Sequence, residues 1–210
     1  MTRVLLVDDH KMVRDGLKQI LSETKDINSV DEAGDGQEAM RQVRKNDYDV
    51  VILDIALPDT DGLSILKVLK QEYPKLPVLM LSMYPEEQYA IRTLKGGASG
   101  YLTKDSASEE LIVAIRKVAQ GGKYVTFSLA ERLALYLDED LSAPVHETLS
   151  DREYQVMRMI ALGKSVGEIA EGLSLSVKTV STYRSRILEK MNLSNNAEIV
   201  RYAVKQKIVD

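Results

Sequence analysis

Five polar side chains in the first half of the sequence have the types and positions needed to hold a phosphoryl group. Asp8, Asp9, Asp54, Ser82 and Lys104 each follow an apolar run directly or within two residues. Crowded carboxylates repel one another unless a cation lies among them, and Mg²⁺ is a hard ion that takes oxygen ligands. A hydroxyl and an ammonium group can pair with phosphoryl oxygens. If these side chains converge, the sequence predicts a Mg²⁺-dependent phosphoryl site.

The apolar runs before these residues are typical of strands in a parallel sheet. Three of them contain no polar residue, as expected for strands buried on both faces. The predicted strands are 4–7, 29–33, 50–53, 78–81 and 100–102, and the helical patterns between and after them are 13–22, 37–45, 63–72, 86–95 and 109–119. This alternation predicts an α/β fold with a doubly wound five-stranded parallel sheet. Its first and third strands are neighbours, and its functional crevice lies at the carboxyl ends of the strands.

A simpler interpretation exists for each residue taken alone. An aspartate after a strand can cap the next helix, and Lys104 can be a solvated loop cation. Five such residues at five expected positions favour the shared site.

The strand pattern ends before Leu149, and an all-α segment follows. Its helical patterns are 151–161, 166–173, 177–191 and 196–205. Ser150 and Glu153 have the spacing of a capping box, and Ser176 can cap the third helix. The sequence therefore predicts a first domain at 1–121, a linker at 122–147 with a helix at 126–137, and a helical domain at 148–210.

The second and third helices of this domain are joined by about three residues, as in a helix-turn-helix motif whose second helix enters the major groove of DNA. Val180, Ile187, Leu188 and Met191 supply its apolar face. The candidate DNA contacts lie elsewhere on it: Lys178, Thr179, Ser181, Thr182, Arg184, Ser185, Arg186 and Lys190. Any surface helix has a polar face, so this pattern alone does not decide the function.

Composition excludes several classes of protein. The 210 residues include no cysteine and two histidines, which excludes disulfides, Cys-bound zinc and thiol catalysis and leaves little for a His-based site. No apolar run approaches the roughly 18 residues of a membrane span, and the N-terminal pattern is not that of a secretory signal. We therefore expect a cytoplasmic protein without a membrane partner.

Charge differs between the two halves. Residues 146–210 carry 10 Lys and Arg against 8 Asp and Glu, and the rest of the chain carries 18 against 24. A surplus of two positive charges is too small to indicate nucleic acid by itself.

Residues 1–121 resemble the receiver domain of two-component response regulators. The resemblance lies in Asp8-Asp9, 51–54, Leu57-Pro58, Asp61-Gly62, Ser82 and 97–104. It implies that Asp54 accepts a phosphoryl group from a sensor histidine kinase. It also implies that Asp8, Asp9, Asp54 and the Ala56 backbone carbonyl bind Mg²⁺, that Ser82 and Lys104 bind phosphoryl oxygens, and that Tyr101 is a switch residue.

Residues 147–210 resemble the LuxR/FixJ/NarL-type DNA-binding domain. The resemblance lies in 149–153, 160–165, Glu168-Ile169-Ala170, 175–180 and 184–187. It implies a transcription regulator that binds double-stranded DNA, with phosphorylation promoting a homodimer or releasing the recognition helix. Ser181 stands where many members carry lysine and Tyr183 where histidine is common, so base preference is not carried over.

Two rival functions remain at this point. A phosphatase that uses an aspartate nucleophile and Mg²⁺ predicts a second aspartate two residues after Asp54, where this sequence has Ala56. A constitutive DNA-binding regulator would use the first domain only to dimerise, but a degenerate pocket would usually have lost Lys104 or Asp9. The sequence therefore predicts a regulator and no enzyme beyond self-phosphorylation and self-dephosphorylation.

Overall fold

The computed structural model describes residues 2–138 and 144–209. Contacts divide the chain into two units, residues 1–135 and 136–210. Residues 139–143 of the predicted linker lie outside the described residues.

The first unit contains a five-stranded parallel sheet in the order β2-β1-β3-β4-β5. Its strands are β1 Thr2–Val7, β2 Ile27–Ala33, β3 Val50–Asp54, β4 Val78–Ser82 and β5 Gly100–Thr103. Every residue of β3 and β4 is buried, as their uninterrupted apolar runs predict. The predicted doubly wound sheet is confirmed, including the pairing of β1 with β3.

Amphipathic helices follow the strands in alternation. They are α1 Lys11–Ser22, α2 Gly36–Lys45, α3 Gly62–Glu72, α4 Glu86–Lys95 and α5 Ala107–Ala119. Leu17 and Leu21 of α1 and Leu111 and Ile115 of α5 belong to one core cluster with apolar residues of the sheet. Because each helix returns the chain across a face of the sheet, all strand carboxyl ends meet at one edge.

Helix α5 ends in a glycine turn, as predicted. Gly121 has a φ of +82°, and the N–H of Gly122 donates to the Lys117 carbonyl at 3.0 Å. Helix α6, Phe127–Asp138, follows within one residue of its predicted span.

The second unit is helical. After a 3₁₀ helix at Val145–Thr148 it contains α7 Asp151–Ala161, α8 Val166–Gly172, α9 Val177–Met191 and α10 Asn196–Lys205. Both predicted caps are present: Ser150 and Glu153 form a capping box, and the Ser176 side chain accepts from the Thr179 N–H. Helix α8 ends one residue before its predicted end, because Ser174 adopts a left-handed φ of 52°. No helix among residues 2–138 and 144–209 is long and apolar enough to cross a membrane.

Candidate phosphoryl site and recognition helix

Two buried carboxylates and one lysine meet at the carboxyl edge of the sheet. Val7 pairs with Leu53 across β1 and β3, so Asp8 and Asp54 are carried to the same place. They are 0% and 2% exposed. The Lys104 Nζ lies 2.6 Å from Asp8 Oδ2 and 2.7 Å from Asp54 Oδ2. The ammonium group therefore compensates two carboxylates that would otherwise repel each other.

Burial sets the ionisation of this cluster. Removal from water raises the pKa of Asp54 above its ordinary value, and the charge of Asp8 acts in the same direction while Lys104 opposes it. Burial also acts to lower the pKa of Lys104, but the charges and hydrogen bonds of Asp54 and Asp8 outweigh it and hold that pKa above its ordinary value. The two carboxylates thus favour the charged form of Lys104.

The carboxylates fit a hard divalent ion. Asp8, Asp9, His10 and Asp54 each offer one ligand atom, and these atoms lie within 4.8 Å of one another. Asp8 Oδ2 is buried, and the Lys104 ammonium lies 2.6 Å from it. A set of clustered carboxylate oxygens matches the preference of Mg²⁺.

His10 is a member of this cluster that the sequence analysis did not select. Its Nδ1 lies 2.6 Å from Asp9 Oδ1, and its backbone N–H donates to Asp8 Oδ1 at 2.8 Å. Its position directly after Asp8 and Asp9 was the available signal. The second histidine, His146, lies in the other unit.

Ser82 and Tyr101 are linked through Tyr84. Ser82 is 1% exposed at the end of β4, and its Oγ accepts a hydrogen bond from the Tyr84 N–H at 3.0 Å. The fully buried Tyr101 donates from its hydroxyl to the Tyr84 carbonyl at 2.7 Å. The backbone of Tyr84 thus connects the Ser82 hydroxyl to the Tyr101 hydroxyl. Ala56, the remaining predicted site residue, donates its N–H to Asp54 Oδ1 at 3.2 Å.

In the second unit, the predicted polar face of α9 is open. Val180, Ile187 and Met191 are buried. The predicted DNA contacts that are exposed are Lys178, Ser181, Thr182, Ser185, Arg186 and Lys190, and Thr179 and Arg184 are half-buried. Small hydroxyl residues beside basic ones give donors of the kind that contact phosphates and base edges.

Two of the basic residues on α9 already have protein partners. Lys190 Nζ lies 2.6 Å from the buried Glu153 Oε2 of α7, and Arg184 Nε donates to Asn196 Oδ1 at 2.6 Å. Burial acts to raise the pKa of Glu153, but the hydrogen bonds from Lys190 and Ser150 outweigh it and lower that pKa. The structure thus places both cations in contacts between helices, which the sequence analysis did not predict.

Two family models match the two units. The response regulator receiver domain matches residues 4–116, and the model of bacterial regulatory proteins of the luxR family matches residues 147–203. The chain belongs to the NarL/FixJ type of response regulators. It is therefore a response regulator with a receiver domain and a LuxR-type DNA-binding domain.

Relatives and solved structures agree with this assignment along the whole chain. Response regulator UvrY of Escherichia coli K12 is 36% identical over 98% of this chain and 94% of its own length. Oxygen regulatory protein NreC of Staphylococcus carnosus is 36% identical over 99% of both chains. A structure of RcsB from Salmonella enterica serovar Typhimurium, bound to promoter rprA in the presence of the phosphomimetic BeF3⁻, matches with a TM-score of 0.65 and 25% identity over 96% of this chain and 97% of RcsB.

Proposed function

We propose that this response regulator accepts a phosphoryl group on Asp54 and that phosphorylation changes its binding to DNA. The observation that carries the proposal is the Lys104 ammonium between Asp8 Oδ2 and Asp54 Oδ2, 2.6 and 2.7 Å away, in a buried crevice. This arrangement places a nucleophile, the Asp54 carboxylate, next to a cation, the Lys104 ammonium. The alternative, a constitutive regulator with a purely dimerising receiver, has no use for this arrangement.

The chemistry follows from the placement of these groups. An Asp54 carboxylate oxygen attacks the phosphorus atom of a phosphohistidine on a sensor kinase, a P–O bond forms, and the P–N bond breaks. The imidazole leaves with the electron pair and takes a proton from solvent. Lys104 pairs with a phosphoryl oxygen, and the Ser82 hydroxyl donates to another. Asp8, Asp9, Asp54 and the Ala56 carbonyl would hold Mg²⁺, which would neutralise phosphoryl charge when bound.

The proposal is tested with the full chain, acetyl phosphate and Mg²⁺. Intact-mass measurement is expected to show the mass of one added phosphoryl group, and a DNA mobility shift is expected to change with phosphorylation. Absence of any mass gain in the wild-type protein, with a known receiver phosphorylated in parallel, would overturn the phosphoacceptor role. A mass gain without a change in DNA binding would support the constitutive alternative.

The segment before α6 offers a route from the receiver switch to the linker. The Tyr124 N–H donates to the Ser99 carbonyl at 2.8 Å, beside β5. The Thr126 hydroxyl donates to Glu86 Oε2 at 2.6 Å and also accepts from the Leu129 N–H at 3.2 Å. Thr126 thus caps the N-terminus of α6 and contacts Glu86, the first residue of α4. Glu86 follows Tyr84, whose carbonyl accepts from the Tyr101 hydroxyl, by two residues. We propose that movement at Tyr84 reaches α6 through this hydroxyl.

Replacement of Thr126 by valine should weaken this coupling, because valine keeps the shape but loses both hydrogen bonds. We expect the ratio of DNA affinities with and without phosphorylation to fall about fivefold, a typical size for an allosteric coupling. Fluorescence anisotropy on labelled DNA measures this ratio. Ser128→Ala, at an exposed position on the same helix, is the control and should keep the wild-type ratio. An unchanged ratio in Thr126→Val would contradict the route.

For DNA binding we propose that the exposed cation Lys178, near the start of α9, contacts a phosphate. Lys178→Ala should then weaken binding to a random-sequence duplex and reduce the slope of log K against log salt by about 1. Binding measured at several salt concentrations gives this slope. Lys205→Ala on α10 removes the same charge outside α9 and should leave the slope unchanged. Equal slopes for wild type and Lys178→Ala would remove Lys178 from the interface.

The remaining partners follow from this role. We propose a sensor histidine kinase as donor and a homodimer on two-fold DNA as the active form, which the two-fold arrangement of helix-turn-helix operators favours. A solved structure of two RcsB dimers bound to two parallel DNAs, whose chain is 26% identical to this one, supports the dimer. Since chromosomal DNA and the kinase phosphodonor meet in the bacterial cytoplasm, we place the protein there.

A further inference from the structure

Asp59 links the loop that follows Asp54 to the start of α2. This loop, residues 55–61, connects β3 to α3 and contains Ala56. The two carboxylate oxygens of Asp59 accept hydrogen bonds from the Gly36 N–H at 2.9 Å and the Gln37 N–H at 3.0 Å. These are the first two amides of α2, which have no partner inside their own helix. One side chain therefore joins the loop to a rigid element.

The contact between loop and helix is tight around these hydrogen bonds. Gly36 is buried, and a Cβ built there would lie 2.7 Å from Thr60 Cγ2 and 2.8 Å from Ile65 Cδ1. A side chain at this position would force the Thr60 and Ile65 side chains to shift. The start of α2 and the loop thus pack directly against each other, with Asp59 at their junction.

The rest of the loop is closed on itself. The Gly62 N–H donates to the Ile55 carbonyl at 2.8 Å, and Ala56 pairs with Asp61. A Cβ on Gly62 would lie only 2.0 Å from the Asp54 carbonyl oxygen. These contacts fix the base of the loop beside Asp54, and Asp59 fixes its outer part against α2. Ala56 lies in sequence between Asp54 and Asp59, so the base contacts and the Asp59 attachment both constrain its backbone.

We infer that Asp59 is a positioning residue for the Mg²⁺ and phosphoryl site: it holds the loop so that the Ala56 carbonyl stays in register with Asp54. The inference rests on the proposed function. Asp59 is not one of the residues proposed to hold the ion or the phosphoryl group, and it would act through the backbone of residues 56–59. Outer partners that orient metal ligands have large effects on affinity when they are removed.

The test is Mg²⁺ binding to full-length Asp59→Ala, measured by calorimetry without any phosphodonor. We expect a Kd for Mg²⁺ about tenfold weaker than wild type, as for other groups that orient ligands. Phosphorylation by acetyl phosphate should slow at low Mg²⁺ and recover at saturating Mg²⁺. Asp59→Asn keeps one acceptor oxygen, so its Kd for Mg²⁺ should lie between those of the wild type and Asp59→Ala.

Asp35→Ala is the matched control. The Asp35 side chain accepts from the Glu38 N–H at 2.6 Å, so its removal also weakens the start of α2 but leaves the loop attached. It should lower thermal stability about as much as Asp59→Ala and keep the wild-type Mg²⁺ affinity. A wild-type Mg²⁺ affinity in Asp59→Ala, or an equal loss in Asp35→Ala, would overturn the inference. Failure of the wild-type protein to be phosphorylated would instead count against the proposed function.

Discussion

Replacement of Asp54 by asparagine should abolish phosphorylation of the full-length protein by acetyl phosphate. The amide has nearly the size of the carboxylate but is not a nucleophile, so the fold should be retained while the reaction is lost. We expect no detectable mass gain under conditions that fully modify the wild type. DNA binding should then no longer respond to the phosphodonor. Intact-mass measurement and DNA anisotropy on the same samples give both results.

The control for this variant is Asp47→Asn. Asp47 is exposed and precedes β3, whereas Asp54 is buried at the end of that strand, so its neutralisation should leave phosphorylation at the wild-type level. If the Asp54→Asn protein still gains a phosphoryl group, peptide mapping would identify a different acceptor, and the assignment of Asp54 would be wrong.

Of the substitutions proposed for the receiver unit, Lys104→Ala should lower its free energy of unfolding the most. The side chain is 6% exposed and the carboxylates it contacts are 0% and 2% exposed, so its loss leaves two buried like charges without compensation. We expect the free energy of unfolding without Mg²⁺ to fall by about 3 kcal/mol, as for other buried ion pairs that lose one partner. Hydrogen exchange at the amides of β1 and β3 measures this free energy.

The same variant separates two roles of the lysine. Added Mg²⁺ should recover part of the lost stability, because it supplies another positive charge to Asp8 and Asp54. It should not restore the rate of phosphorylation, which we expect to be about a hundredfold below wild type, as when one donor to a developing anion is removed. Lys104→Arg keeps the charge and should recover stability better than rate. Equal unfolding free energies for wild type and Lys104→Ala would show that the lysine does not stabilise the carboxylates.

The sheet could be predicted from the sequence because its central strands leave a simple signal. Strands β3 and β4 are buried on both faces, so their residues had to be apolar without interruption. Once the strands were placed, the crossover rule carried Asp8 and Asp54 to one edge. The edge strand β2 was harder to delimit, because most of its residues are only half-buried and polar side chains are tolerated. Its true start, Ile27, lies two residues before the predicted one.

The contacts of Asp59 with α2 and of Lys190 with Glu153 could not be predicted from the sequence. The Asp59 hydrogen bonds to α2 depend on how one loop folds back, and no periodicity records that. The proximity of Lys190 to Glu153 depends on how α7 and α9 pack and on the rotamer of a long side chain. From the sequence, Glu153 is therefore recognisable only as a capping residue and Lys190 only as a candidate DNA contact. That DNA contact remains a prediction.

The Glu153 carboxylate has a consequence for exchanging recognition helices between members of the family. Its Oε2 accepts from the Ser150 N–H at 2.7 Å, which closes the capping box of α7. The same oxygen accepts from the Lys190 Nζ of α9 at 2.6 Å. A graft of α9 that replaces Lys190 with an uncharged residue would leave a nearly buried anion with one partner fewer. Residues 153 and 190 should therefore be transferred together in any chimera, so that the ion pair between α7 and α9 is kept.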